Sequence, residues 1–309
     1  MSTRTRVASA ALMAAAASAA VAYRRMAQHL DMAPAAAPPL PGTVVGLATE
    51  WGRLSYRWIE GSSTDGPPLV LVHGWGRSAD TAWWPIIERT DRSVLAIDLP
   101  GHGRSILDDR FTFEIAAEAV LQATEHAGVH DAQLVGHSMG GPVCMTALLH
   151  SERTRFANFV ALATSAYWVT PRYRVKLAAA PWALAPRSPI LLRAESVELR
   201  SDPRAAGRVA WEYASRPSRQ VLIEAAIELR RFDARRWGPL LHMPPTTFGI
   251  TTRDGVIDPS DQRASALIFG CRMVDLPTDH SVVSLAPDSV MRLLDLAAAR
   301  PEGPLLLAI

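Results

Sequence analysis

Short apolar runs alternating with helical patterns predict an α/β chain: a mostly parallel, doubly wound sheet of eight strands, with helices on both faces and an inserted helical cap. Three observations carry that expectation. Pro68–Val72 and Val94–Ile97 are continuous apolar runs, the pattern of strands covered on both faces. Helical periodicity lies between and after them, over Thr81–Arg89 and Phe113–His126. With 49% hydrophobic content, 309 residues can bury one large core, or one core with an inserted lid.

The chain opens with a leader and linker over residues 1–41. Arg4 and Arg6 precede an alanine-rich run from Val7 to Ala22, and Arg24 and Arg25 follow it. As a helix, those roughly 16 residues would span about 24 Å, short of a hydrocarbon core of roughly 30 Å. The arginines just after the run fit a retained anchor or a surface helix better than a cleaved signal. The expectation is membrane association through residues 1–25 and a place at the membrane or cell envelope, with a cytoplasmic location as the alternative. Asp31–Pro41, rich in Pro and Ala, reads as a linker to the folded part.

Within the folded part, Arg53–Ile59 alternates polar and apolar residues, as an antiparallel edge strand would, and Gly61–Gly66 closes it with a turn. Further buried strands are expected at Asp131–Val135, Phe159–Ala163, Thr246–Thr251 and Arg272–Leu276. Pro287–Ala299 reads as a terminal helix with its proline in the first turn. Residues 165–231 break the alternation and read as the helical cap, leaving 42–164 and 232–309 as the core. Trp168, Tyr173, Trp182, Trp211 and Tyr213 would give this cap apolar walls. Its 12 basic and 6 acidic residues read as a solvated outer face.

The charge balance narrows the function classes. Thirty-two basic and 30 acidic residues leave a net charge of +2, which gives no polyelectrolyte surface for nucleic acid. No Cys/His cluster has metal-ligand spacing, so neither a metal nor a cofactor is expected. Cys144 and Cys271 fall in apolar stretches as ordinary core thiols. The oligomeric state is left open.

One motif carries chemistry. Leu134-Val135-Gly136-His137-Ser138-Met139-Gly140-Gly141 sets a serine between glycines where a buried strand turns into an apolar helix, the G-x-S-x-G pattern of a nucleophile elbow. The turn is sharp, and only glycine at the flanking positions leaves room for it. Other loops fall in a matching order: Val72-His73-Gly74-Trp75-Gly76 after one strand, Asp98-Leu99-Pro100-Gly101-His102-Gly103-Arg104-Ser105 after the next, Thr252-Arg253-Asp254 and Asp279-His280 later.

On these motifs the stretch from Gly42 to Ala299 resembles the α/β-hydrolase superfamily, in the branch with a serine nucleophile and a helical lid after the sixth strand. The resemblance implies catalysis in the chain order Ser, Asp, His. Ser138 would be the nucleophile, activated by His280 as base, with Asp254 orienting the imidazole. Asp258, four residues on, is a rival acid, and Asp279 would point away if its neighbour faces the serine. The oxyanion donors would be the backbone N–H groups of Met139 and Trp75. Trp75, His137 and Trp168 are the candidate substrate contacts, while His73, His102 and Arg104 read as loop-shaping hydrogen-bonders. A serine at the elbow argues against the epoxide hydrolases and haloalkane dehalogenases of this fold, which use aspartate there. The implied activity is hydrolysis of a small-molecule carboxylic ester, lipid-like or aromatic, through an acyl-enzyme. Acyltransferase, thioesterase and perhydrolase activities use the same constellation, and a non-catalytic binding protein on the same fold is the rival from another class.

Overall fold

The computed structural model describes residues 40–151, 156–168, 216–237 and 243–299, and the backbone alone of 306–308. Residues 1–39 of the leader and linker, and residues 169–215 of the expected cap, lie outside the described residues. The described strands are β1 (Thr43–Thr49), β2 (Gly52–Ile59), β3 (Leu69–Val72), β4 (Val94–Asp98), β5 (Ile106–Leu107), β6 (Ala132–His137), β7 (Phe156–Leu162), β8 (Thr246–Thr251), β9 (Arg272–Leu276) and β10 (Leu306–Ala308). They form one mixed sheet in the order β1-β2-β4-β3-β6-β7-β8-β9-β10, with β5 paired to β2 off that path. From β4 to β10 every neighbouring pair is parallel, and β2 runs antiparallel to β1, β4 and β5.

Alternate residues of each inner strand feed two separate cores, which is what a doubly wound sheet requires. Val70, Val72, Leu95, Ile97, Phe159 and Ala161 face one core. Leu69, Leu71, Val94, Ala96, Val160 and Leu162 face the other. Helices α2 (Phe113–His126), α3 (Gly140–His150), α4 (Arg219–Arg231) and α5 (Pro259–Ile268) contribute to the first core. Helices α1 (Ala79–Ile87), α6 (Val282–Leu285) and α7 (Pro287–Ala298) contribute to the second.

Among the described residues the path holds nine strands, the expected sheet with a three-residue strand, β10, added after the terminal helix and paired with β9. One expectation about the sheet is corrected. Arg53–Ile59 is not an edge: β1 lies outside it, through a turn at Glu50–Trp51. The central residues Leu54–Arg57 are accordingly buried. β1 itself is mostly exposed and, Leu47 apart, built from Thr, Val, Gly and Ala, so its apolar alternation is too shallow to read.

Helix α1 starts two residues before the expected Thr81 because Ser78 caps it. The Ser78 hydroxyl accepts from Thr81 N–H, and Thr81 Oγ1 accepts from Ser78 N–H at 3.1 Å, a reciprocal pair. Pro85 lies inside this helix and cannot donate to the carbonyl of Thr81. Arg77 Nη2 donates to that carbonyl instead, at 2.8 Å, so the proline leaves no orphaned acceptor there.

A buried charge cluster fixes α1 against the loops at the carboxyl ends of the strands. Asp80 is fully buried and accepts both arms of the Arg57 guanidinium, at 2.7 and 2.9 Å, and Arg104 Nη1 at 2.7 Å. Burial opposes its charge, and the two arginines more than offset that, so its carboxyl lies below the ordinary range. Asp98, at the end of β4, accepts the N–H of Ala79 at 2.7 Å and of Arg104 at 3.0 Å. Burial pushes it up to about 6 all the same. A Cβ on Gly103 (φ +56°) would fall 2.2 Å from Asp98 Oδ1, so only glycine lets this loop close over the carboxylate. Removing one partner of a buried pair strands the other charge. Asp80→Ala, which leaves Arg57 only 6% exposed, is therefore expected to lower stability by about 3–5 kcal/mol in urea unfolding; a loss below about 1 kcal/mol would show the cluster to be solvated.

Candidate active site

β6 delivers Ser138 to a turn that most residues cannot make. Its φ of +54° lies in the left-handed region, which costs about 1–3 kcal/mol and persists only where the surroundings hold it. Here they do. Ser138 N–H donates to Leu162 O at 3.0 Å, and Ser138 O accepts the Thr164 hydroxyl at 2.7 Å and the N–H of Gly141 at 2.9 Å. The flanking glycines are required by space: a Cβ on Gly136 would lie 2.6 Å from Gly140 O, and one on Gly140 only 2.3 Å from Val72 O.

Helix α3 begins directly after the serine, so its free N–H groups and the positive end of its dipole face the hydroxyl. The loop after β3 passes against the same point, since a Cβ on Gly74 would lie 3.1 Å from Ser138 Cβ. His73 shapes that loop, donating Nδ1–H to Gly74 O at 2.8 Å and accepting Leu99 N–H on Nε2 at 3.0 Å. Among the described residues the N–H groups of Met139 and Trp75 donate to nothing. Met139 is the chain neighbour of Ser138, and Trp75 follows the glycine that approaches it.

His280, after β9, places Nε2 2.9 Å from Ser138 Oγ and Nδ1 2.9 Å from Asp254 Oδ2. A carboxylate can only accept, so Nδ1 carries the proton and Nε2 presents a lone pair to the serine hydroxyl. Asp254 is oriented through both oxygens. Oδ1 accepts the N–H of Val256 at 2.7 Å and of Ile257 at 2.9 Å, and Oδ2 also accepts Thr251 Oγ1 at 2.8 Å and Gln262 Nε2 at 3.1 Å. Burial works against this carboxylate, but the His280 hydrogen bond and the other donors outweigh it and hold Asp254 below the ordinary carboxylate range. The pair is sheltered, with Ser138 7% and the His280 side chain 19% exposed.

The rival acids do other work. Asp258 caps α5, accepting Ser260 N–H at 2.8 Å, and Asp279 accepts Ser281 N–H at 2.8 Å in an exposed turn. Of the candidate substrate contacts, Trp75 is half-buried, and its indole Nε1 is buried without a partner among the described residues. The Trp168 indole is buried and donates to Ser165 O at 3.0 Å. His137 is half-buried and donates Nε2–H to the carbonyl of His280 at 3.0 Å. His102, fully buried, donates Nδ1–H to Pro100 O at 3.0 Å, and burial pulls it down to about 4. Thr164, Thr251 and Gln262 escaped sequence reasoning, because their partners are 26, 3 and 8 residues away and no local pattern marks them. Among the described residues no three His, Cys, Asp or Glu side chains gather as metal ligands, and both cysteines are free thiols.

A family model described as alpha/beta hydrolase fold matches residues 67–191. An sn-1-specific diacylglycerol lipase of Xenopus laevis is 37% identical over 109 residues, 34% of this chain and 35% of its own. The dihydrolipoyllysine-residue acetyltransferase component of an acetoin cleaving system of Pseudomonas putida is 40% identical over 118 residues, 36% of this chain and 31% of its own. A pimeloyl-[acyl-carrier protein] methyl ester esterase of Methylococcus capsulatus is 34% identical over 113 residues, 36% of this chain and 41% of its own. The chain thus spans about a third of the length of the curated relatives it matches. Among solved structures, the enol-lactonase from Burkholderia xenovorans LB400 has TM-score 0.68 at 20% identity, covering 83% of this chain and 100% of its own. An esterase from Exiguobacterium antarcticum has TM-score 0.68 at 16% identity, covering 83% and 99%. At those identities the likeness is one of fold.

An asparagine at 254 can present its amide N–H to His280 and reverse the imidazole tautomer, turning an N–H instead of a lone pair towards Ser138. Asp254→Asn is expected to cut ester turnover about 1 000- to 10 000-fold with the fold intact by circular dichroism. Turnover within tenfold of the parent would assign the orienting role to another group.

Proposed function

We propose that this chain, whose residues 67–191 match the alpha/beta hydrolase fold family model, is a serine hydrolase cleaving a carboxylic ester through an acyl-enzyme intermediate. The observation that carries this reading is the continuous relay from Ser138 Oγ through His280 to Asp254, with both links at 2.9 Å. A binding protein has no physical need for all three groups in this register. The matches to proteins named lipase and esterase support the ester class.

The steps follow from the tautomer. Ser138 Oγ attacks the acyl carbon as its proton passes to His280 Nε2, and Asp254 stabilises the imidazolium that forms. The oxyanion of the tetrahedral intermediate takes the N–H groups of Met139 and Trp75, whose loss would each cost about 3–4 kcal/mol of transition-state stabilisation. His280 then gives its proton to the departing alcohol oxygen. Water enters, yields a proton to the same Nε2 and breaks the bond between the acyl carbon and Ser138 Oγ, which recovers its proton. An alcohol or thiol in place of that water would make the same site an acyltransferase, a second reading favoured by the match to a protein named as an acetyltransferase component.

The preferred ester is lipid-like or aromatic, on the strength of the tryptophan and tyrosine content of residues 165–231. Wild-type protein is expected to turn over p-nitrophenyl esters and to label with a fluorophosphonate at Ser138. Ser138→Ala should lose the label and at least about 10 000-fold of the turnover. Turnover surviving that substitution would refute the acyl-enzyme, and an absence of both labelling and turnover would favour the binding protein. The basic-flanked apolar run in residues 1–25 is proposed to hold the protein at a membrane surface. The full chain should then sediment with anionic vesicles more than residues 42–309 do, and equal sedimentation would remove that role.

A further inference from the structure

His137 lies directly before the serine, and its imidazole is bound by three separate elements. Its Nε2 is 3.0 Å from the carbonyl oxygen of His280. A carbonyl only accepts, so Nε2 carries the proton and Nδ1 is bare. On that side, a Cβ on Gly74 would fall 3.3 Å from His137 Nδ1, so the ring fills the space beside the loop that carries the Trp75 N–H. Trp83 of α1 stands edge-on at 6.4 Å between centroids, and the imidazole of His280 lies tilted at 5.2 Å.

We infer that His137 is a positioning residue for the base: its Nε2–H holds the backbone of His280, so the strand that presents the nucleophile also sets where the base stands. The inference rests on the serine-hydrolase reading of Ser138, His280 and Asp254. Its physical logic is one of register. β6 and β9 are not neighbours in the sheet, since β7 and β8 lie between them, so no ladder bond couples the loop after β9 to the elbow. The His137–His280 bond supplies that coupling, across 143 positions of sequence. A nucleophile and base misplaced by about 1 Å lose about a hundredfold in rate, so a bond that sets their spacing acts on turnover more than on binding. The ring also suits the place chemically. Burial first, and then the charge that His280 can carry, push His137 down to about 3. It therefore stays neutral and adds no positive charge beside the imidazolium that forms on His280.

Three variants of the full-length chain test this. His137→Gln can place its amide N–H where Nε2–H now stands; His137→Asn is too short to reach the carbonyl, and His137→Phe fills the space without donating. Asn and Phe are expected to lower kcat by about tenfold to a hundredfold with KM within about threefold, and Gln to recover most of the loss. A readout independent of turnover is the low-field proton resonance of His280 Nδ1–H on Asp254, expected in wild type and Gln and lost or broadened in Asn and Phe. A loss confined to KM would make His137 a substrate contact and overturn the proposal. So would an unchanged resonance with kcat within twofold in Asn and Phe, or a folded Gln variant as impaired as Asn. If Phe does not fold, the Gln and Asn pair decides alone. Wild-type protein that shows the expected resonance pattern across the variants, but neither labels with fluorophosphonate nor turns over ester, would fail the functional reading and leave the positioning role standing.

Discussion

Ser138 can occupy left-handed backbone only because the sheet closes around it, and much of the site is arranged by that closure. The peptide groups on either side of the residue are both bound from β7: its N–H by Leu162 O and its carbonyl by the Thr164 hydroxyl. Ala163, between those two, is itself at φ +49°, so the chain leaving β7 turns sharply enough for Thr164 to reach back. Two strained residues at the ends of adjacent parallel strands thus brace one another. The room for this comes from missing side chains at Gly136 and Gly140, where any Cβ would overlap a backbone oxygen. The strained turn sets the serine at the strand end, where its hydroxyl lies 2.9 Å from His280 Nε2.

Around the elbow, charge is managed by burial and by directed hydrogen bonds. Asp254 is kept ionised by donors on both of its oxygens, which also fixes its rotation, and that in turn fixes which nitrogen of His280 carries a proton. His73, His102 and His137 are driven towards the neutral form by burial, so each can serve as a dipolar link between loops without adding a charge. The Asp80 cluster performs the same service one layer further out. It ties β2, α1 and the loop after β4 together through ionic hydrogen bonds that leave little freedom in register, and His73 links that loop to the turn carrying the Trp75 N–H. Whether such buried pairs add net stability matters less here than their directionality.

The legible part of this protein is local. Unbroken apolar runs at Leu69–Val72 and Val94–Ile97 mark covered strands because a strand buried on both faces must be apolar at every position. Glycines spaced around Ser138, and an aspartate just past β8, stand out because steric demand and strand endings leave short-range signatures. β1 did not stand out, since a hairpin strand with one face in water and short side chains carries little periodicity. The start of α1 was missed for a different reason: the Ser78 and Thr81 pair is readable, but the apolar pattern after it is stronger.

Residue order and local pattern specify the order of elements, the alternation that demands two cores, and the residue types able to form an elbow. Which groups meet follows from how the elements pack. The place of Asp254 just past a strand favours it over Asp258 in sequence, and the fold gives the two their partners, His280 for one and the start of α5 for the other. His137 reads in sequence as a candidate substrate contact beside the serine, and the fold adds a bond from its ring to the loop after β9. The reason is that local sterics and periodicity act over a few residues, whereas strand order brings residues 26 and 143 positions apart within hydrogen-bond distance.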